Sequence, residues 1–169
     1  MKNNVAYIIQ EMADITGHPP VKKALQKTVF LIEKKGINLD FDYMLHFYGP
    51  YCAELDHETA VLSANGVIDF VYSQYGHKMN VSEECGEVLS EDLAECQTDT
   101  IKEVIQHYRN STASQLELLT TAIYAYDHTG AKTRADVTSN GKKIKVEKYS
   151  DTEIEWALNE FSYFGLAFE

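Results

Sequence analysis

Two motifs about twenty residues apart constrain the fold of this chain more than any other feature. The first, Lys23-Ala24-Leu25-Gln26-Lys27-Thr28-Val29-Phe30-Leu31, spaces its apolar residues as an amphipathic helix does, and predicts a helix over about residues 20–35. The second, His46-Phe47-Tyr48-Gly49-Pro50-Tyr51-Cys52-Ala53-Glu54-Leu55, predicts a short aromatic strand at residues 43–48. Because proline is favoured in the first turn of a helix, Pro50 is expected to open a helix over residues 50–66 directly after the turn.

The surrounding sequence extends this order of elements. A periodic apolar pattern that Asn4 can cap predicts a helix before the first motif, ending near Gly17. After residue 66, residues 67–72 and 78–82 are expected to pair as a hairpin around the turn Ser73-Gln74-Tyr75-Gly76-His77. Three helices, a short strand and a β-hairpin outline a winged-helix-like core in which residues 50–66 take the recognition-helix position.

The second half of the chain is predicted to add helices. Residues 99–110 are periodic, and Ser114-x-x-Glu117 is the signature of a capping box ahead of a helix at residues 115–126. The basic segment 131–149 is expected to be a loop or a small hairpin, and Ser150 or Asp151 to cap a final helix. We therefore predict a mainly helical α+β fold, residues 1–169 forming one domain with a core at 1–82 and a helical extension at 83–169.

The two motifs resemble those of the YwgA-like proteins and of the related Panacea (SocA-like) antitoxin domain. Those proteins carry a Lys-Leu-Gln-Lys helix followed by a Tyr-Gly-Pro-Tyr turn, and the similarity covers roughly residues 5–70. The chain departs from the pattern at Ala24 and at Cys52, where serine is usual. The resemblance implies a non-enzymatic module that binds a protein partner, such as a toxin or a component of a protease adaptor system.

The same motifs supply the candidate partner-binding residues. Lys23, Gln26 and Lys27 lie opposite Leu25 and Val29 on the predicted helix, on the face expected to be solvated. Tyr48 and Tyr51, with the neighbouring Phe47, are expected to line a concave surface that grips a partner. A purely structural alternative is that the tyrosines pack their rings and hydrogen-bond at the rim, while the lysines simply face water.

The sequence shows no arrangement of residues typical of catalysis. It contains no glycine-rich phosphate loop and no nucleophile elbow, and its six histidines form no metal-ligand motif with Cys, Asp or Glu. The three cysteines, Cys52, Cys85 and Cys96, are odd in number and share no short spacing, which fits a reduced cytoplasmic protein without disulfides. We therefore predict no enzyme activity and no catalytic, cofactor-binding or metal-binding residues.

The charge distribution separates a protein partner from nucleic acid. The net charge is −11, with −13 concentrated in residues 37–131 and +4 in residues 132–149. The alternative to a protein-interaction module is a winged-helix DNA-binding transcriptional regulator, but residues 50–66 carry acids and no Lys or Arg. Phosphate contacts would then fall to Lys78 or to residues 142–145. No apolar run is long enough for a membrane span, and the oligomeric state stays open.

Overall fold

The computed structural model describes residues 1–74, 76–145 and 148–169. The described part is mainly helical with two antiparallel hairpins, which confirms the predicted α+β class. Short 3₁₀ turns occupy Glu83–Cys85 and Glu160–Phe164. The longer elements follow in the order α1 (Asn4–Thr16), α2 (Lys22–Lys34), β1 (Met44–His46), β2 (Gly49–Tyr51), α3 (Ala53–Ala64), β3 (Ile68–Ser73), β4 (Gly76–Val81), α4 (Glu95–His107), α5 (Ala113–His128), α6 (Arg134–Lys145) and α7 (Asp151–Asn159).

The chain divides into two compact units. The first unit contains Met1–Tyr43 and Cys52–Ser111, and the second contains Met44–Tyr51 and Thr112–Glu169. The hairpin β1–β2 therefore groups with the C-terminal helices, and α4 groups with the first unit, where it packs on α1 and α2. This division differs from the expected boundary at residue 82. Within the described residues, no helix is both long and apolar enough to cross a membrane.

The core of the first unit is built on the apolar stripes of its helices. Asn3, rather than Asn4, caps α1, because its Oδ1 accepts a hydrogen bond from the Ala6 amide at 2.8 Å. The inward-facing apolar residues of α2, α3 and β3 are all buried; these are Leu25, Val29, Ile32, Leu55, Leu62 and Ile68. Burying each such side chain contributes about 1.5–3 kcal/mol.

The hairpin β3–β4 confirms the β-hairpin predicted within residues 67–82. Its register runs from Ile68 opposite Val81 to Ser73 opposite Gly76, and Tyr75 of the predicted turn lies outside the described residues. Ile68 and Met79 are fully buried, so one face of the hairpin closes the core of the first unit. The Met79 amide also donates to the Pro20 carbonyl at 2.9 Å, which ties β4 to the segment before α2.

The expected helix start at Pro50 is wrong. Pro50 lies in β2 opposite Leu45, and α3 begins at Ala53 with Cys52 as its N-cap. The Cys52 sulfur accepts a hydrogen bond from the Leu55 amide at 3.4 Å. Proline is compatible with β2 because a two-stranded hairpin leaves the amide positions of its outer edges unpaired.

The second unit also corrects two local predictions. The capping box of α5 consists of Thr112 and Gln115, whereas Glu117 of the predicted box is buried. Residues 134–145 of the basic segment form α6 instead of a loop or hairpin, and residues 146–147 lie outside the described residues. The buried Val137 anchors α6, because tertiary packing overrides the weak helix propensity of its Asn-Gly pair. Ser150 caps α7 as predicted.

Candidate functional site

The aromatic motif forms a compact hairpin in the second unit. In β1–β2, Met44 pairs with Tyr51, Leu45 with Pro50 and His46 with Gly49, so Phe47 and Tyr48 form the turn. Gly49 follows this turn with φ of 80°, a left-handed conformation that glycine adopts without steric cost. The turn thereby places two consecutive aromatic side chains at the tip of the hairpin.

Gly49 also fixes the hairpin against α5. A Cβ atom at this position would lie 2.5 Å from Thr121 Oγ1 and 3.4 Å from the Glu117 carbonyl oxygen. Only a residue without a side chain permits this approach, so backbone conformation and packing both require glycine here. The hairpin is therefore positioned by contact with a helix that lies much later in the chain.

The tip of the hairpin presents apolar side chains to solvent. Met44 and Phe47 are each 73% exposed, Tyr48 is 59% exposed and Leu45 is 37% exposed. Gly49 and Pro50 on the opposite strand are buried. Contiguous exposed apolar patches on a soluble domain mark interaction sites when they exceed a few hundred Å². We call these four residues, Met44, Leu45, Phe47 and Tyr48, the hairpin tip.

Ring contacts hold the hairpin tip in shape. The His46 ring meets the Phe47 ring edge-on at 5.3 Å between centroids and lies 5.5 Å from the Tyr51 ring. These contacts restrict the rotamers of Phe47 before any partner arrives. Pre-organised aromatic side chains lose little conformational entropy on binding.

Two of the three candidate residues on α2 are buried instead of solvated. Gln26 and Lys27 are buried, so the prediction of a solvated face is wrong for these two, while Lys23 is half-buried. Gln26 Nε2 donates to the Cys52 carbonyl at 2.8 Å, and the Cys52 amide donates to Gln26 Oε1 at 2.9 Å. Because the amide side chain satisfies both backbone groups of the N-cap residue, Gln26 fixes the start of α3.

The five predicted partner-binding residues belong to two different units. Lys23, Gln26 and Lys27 lie on α2 of the first unit, whereas Tyr48 and Tyr51 lie in the hairpin of the second. Tyr51 is half-buried beside His46, and Tyr48 is exposed. Met44 and Leu45 were missed at the sequence level. Their signal is the largely apolar stretch Met44-Leu45-His46-Phe47-Tyr48, in which only His46 is strongly polar.

Neither a metal site nor an activated Cys52 thiol is found among the described residues. No group of three His, Cys, Asp or Glu side chains there comes close enough to hold a metal ion. Burial raises the pKa of the Cys52 thiol to about 11, and the thiol donates to Glu54 Oε2 at 3.2 Å. Cys52 is therefore a neutral thiol at physiological pH, whereas a nucleophilic cysteine needs a lowered pKa.

The surface of α3 is acidic, and one of its acids pairs with a lysine of α2. Lys22 Nζ lies 2.8 Å from Asp56 Oδ1, and the helix carries Glu54, His57 and Glu58 but no Lys or Arg. No protein-family model matches this chain, and no curated protein matches it. The hairpin tip exposes apolar side chains, and the α3 surface carries carboxylates.

Proposed function

We propose that this protein is a non-enzymatic, cytoplasmic protein-interaction module, antitoxin- or adaptor-like, that binds its partner through the hairpin tip. The observation that carries this proposal is the 73% exposure of both Met44 and Phe47 on a hairpin held rigidly by Gly49. A large apolar side chain gains about 1.5–3 kcal/mol when it is fully buried, so both residues favour a bound state.

The composition of the hairpin tip supports a protein partner. Aromatic residues and methionine are enriched in the cores of protein interfaces, where few residues contribute most of the binding free energy. The tip projects from two three-residue strands, which is too small for a standard interface of about 800 Å² per partner. A partner with an apolar groove that receives Phe47 and Met44 fits this shape.

Two other candidate contacts are part of the proposal. Tyr51 lies beside His46 and opposite Met44 in the hairpin, and would form the polar rim of the same interface. Lys23 remains a candidate contact on α2, whereas burial removes Gln26 and Lys27 from the contact surface. The acidic α3 disfavours the alternative, a DNA-binding regulator, because phosphate contacts require basic side chains.

Site-specific photo-crosslinking tests the proposal. A photoreactive phenylalanine analogue placed at position 47 is expected to capture one dominant protein in cells of the source organism. The matched control places it at Tyr72, an aromatic residue that is 79% exposed on the other hairpin. Capture of the same protein with equal yield at position 72 would contradict the proposed site.

Reconstitution with the captured protein then gives the energetic test. We expect Phe47→Ser to weaken the affinity at least tenfold, about 1.4 kcal/mol, and Tyr72→Ser to leave it within about twofold. An antitoxin role further predicts that the captured protein arrests growth when expressed by itself, and that wild type but not Phe47→Ser restores growth. Equal affinities for wild type and Phe47→Ser would reject the hairpin tip as the interface.

A further inference from the structure

The exposed face of α3 borders a second surface feature, which lies entirely within the first unit. A wide depression of about 730 Å³ runs along the helix, and its lining includes Ala53, Glu54, Glu58, Val61, Leu62 and Met1. Ala53, His57 and Val61 follow one another at intervals of four residues on one row of α3, while Glu54 and Glu58 form the adjacent row. We call this feature the α3 groove.

The floor of the α3 groove is mainly apolar, although the exposed His57 lies between Ala53 and Val61. Val61 is 42% exposed and Met1 is 47% exposed, while Leu62 is almost completely buried beneath them. The groove is open along its length, so it encloses a small molecule poorly. A twelve-residue helix such as α3 offers about 18 Å of surface, which matches a helical segment of a similar length.

The rim of the α3 groove carries two carboxylates, and the described residues that line the groove include His57 but no Lys or Arg. Glu58 Oε1 accepts a hydrogen bond from the neutral Asn3 side chain at 2.9 Å. Backbone hydrogen bonding at the start of α3 and the Cys52 thiol lower the pKa of Glu54, so this carboxylate is ionised at neutral pH. Neither carboxylate forms an ion pair with any residue that the structure describes.

The wider charge of the first unit acts in the same direction. It contains 17 acidic and 9 basic residues, a formal net charge of −8. A field of this sign repels duplex DNA and a second copy of the same face, and attracts cationic segments. Apolar floor and acidic rim together are complementary to a helix that presents apolar residues on one side and Lys or Arg beside them.

We propose that the α3 groove binds a basic amphipathic segment of a partner protein. Apolar residues of that segment cover Val61 and Ala53, and its cationic residues pair with Glu54 and Glu58. This site is distinct from the hairpin tip, since it lies in the other unit. It requires a cationic segment, whereas the hairpin tip requires an apolar groove. Either site can exist without the other.

A model peptide tests the α3 groove directly. The probe is a fluorescein-labelled amphipathic peptide of leucine and lysine, about 14 residues or roughly 20 Å of helix, titrated with the full chain by fluorescence anisotropy. We expect saturable binding that weakens at least tenfold for the double variant Glu54→Gln/Glu58→Gln and about threefold for Val61→Ser. The affinity should also fall as salt rises from about 50 to about 300 mM.

The matched control separates a specific groove from general attraction to an acidic protein. Glu83→Gln/Glu84→Gln changes the charge equally on the exposed 3₁₀ turn and is expected to leave the peptide affinity within about twofold of wild type. Thermal unfolding confirms that every variant is folded. Absence of saturable binding, or an equal loss in the control, would overturn the proposal.

Two further outcomes assign the peptide elsewhere and would equally overturn it. A loss of peptide affinity in Phe47→Ser, with no loss in Glu54→Gln/Glu58→Gln, would place the peptide on the hairpin tip. Direct binding of a fluorescein-labelled duplex DNA to the full chain, weakened by Val61→Ser, would show that the α3 groove accepts nucleic acid. With the groove intact, we expect Phe47→Ser to bind the peptide like wild type.

Discussion

The two hairpins of this protein are held in place in different ways. In β3–β4 the strands are six residues long, and fully buried Ile68 and Met79 join one face of the hairpin to the core of its own unit. In β1–β2 the strands are three residues long and the apolar residues Met44 and Phe47 face solvent. The short hairpin is instead fixed where Gly49 touches α5.

This difference explains the different chemistry of the two hairpins. The core of the first unit takes up Ile68 and Met79 of β3–β4, although Tyr72 near the turn stays exposed, whereas packing of β1–β2 at Gly49 leaves both Met44 and Phe47 exposed. A hairpin that is stabilised through its backbone can expose a hydrophobic tip at little cost to folding. The comparison therefore favours β1–β2 as the interaction element and β3–β4 as a structural one.

The largest expected loss of stability comes from a substitution on the buried face of the long hairpin, β3–β4. Ile68→Ala removes a fully buried side chain and should lower the free energy of unfolding by about 2–5 kcal/mol, because the lost contacts leave a cavity. Chemical denaturation measures this directly. A loss well below 1 kcal/mol would mean that the buried face does not hold β3–β4.

The next largest loss of stability is expected at Gly49, where the short hairpin β1–β2 packs against α5. Gly49→Ala should cost about 2–4 kcal/mol, since alanine is strained at φ of 80° and its methyl group meets Thr121 Oγ1. The matched control is Gly76→Ala in the other hairpin, where φ is 112° but no atom lies within 4 Å of the added Cβ. Backbone strain without a clash should cost that variant only about 1–2 kcal/mol.

A double variant tests whether the stability cost of Gly49→Ala arises from the contact with Thr121. Adding Thr121→Ala to Gly49→Ala removes the clashing oxygen and should recover at least about 1 kcal/mol of stability. No recovery would mean that backbone strain explains the whole effect. Equal costs for Gly49→Ala and Gly76→Ala would show that α5 does not position the short hairpin.

A smaller effect concerns the residue that leads from β2 into α3. Cys52→Ser keeps an N-cap acceptor for the Leu55 amide and should change stability at neutral pH by less than about 1 kcal/mol. Burial raises the pKa of Cys52 from 9.0 to about 11, so the folded state favours the protonated thiol. Stability from this group is complete below pH 9 and is lost as pH rises towards 11.

The pH dependence of stability is checked by comparing wild type with Cys52→Ser. Burial and the nearby Glu117 carboxylate also raise the pKa of Tyr149, to about 12, and this group contributes a loss of stability at still higher pH in both chains. The difference between wild type and Cys52→Ser isolates the thiol. Parallel stability curves between pH 9 and 11 would contradict the assigned burial of Cys52.

The smallest expected effects on stability come from removing one exposed ring in each of the two hairpins. Phe47→Ser and Tyr72→Ser remove exposed rings, each with one neighbouring histidine ring, and each should cost less than about 1 kcal/mol. Only Phe47→Ser should also weaken partner binding. A large stability loss for Phe47→Ser would mean that the hairpin tip is structural.

Much of the fold could be predicted because its signals are local. The apolar periodicity of residues 4–16 and 22–34 indicated α1 and α2, and a glycine-containing turn between apolar segments indicated β3–β4. Ser150, one of the two residues predicted to cap α7, is its N-cap. These features depend on residues within a few positions of one another, so the pattern and the structure agree.

The candidate site was predicted only in part. Tyr48 is exposed in the aromatic turn as expected, but Pro50 lies in a strand and Gln26 and Lys27 are buried. The hydrogen bonds between Gln26 and Cys52 join residues 26 positions apart, and helix periodicity gives no information about such a partner. The same limit applies to α6, whose buried Val137 outweighs a turn-like Asn-Gly pair.

The sequence by itself determined the helical class, the wing hairpin, the apolar core positions and the acidic charge of α3, because spacing and composition encode them directly. The tertiary structure decided which polar residues of α2 became buried, that Pro50 joined a hairpin, and that Met44 and Phe47 stayed exposed. Those outcomes depend on contacts between distant segments, such as Gly49 against Thr121. A local pattern specifies the face that a residue takes on its own element, whereas packing decides whether another element covers that face.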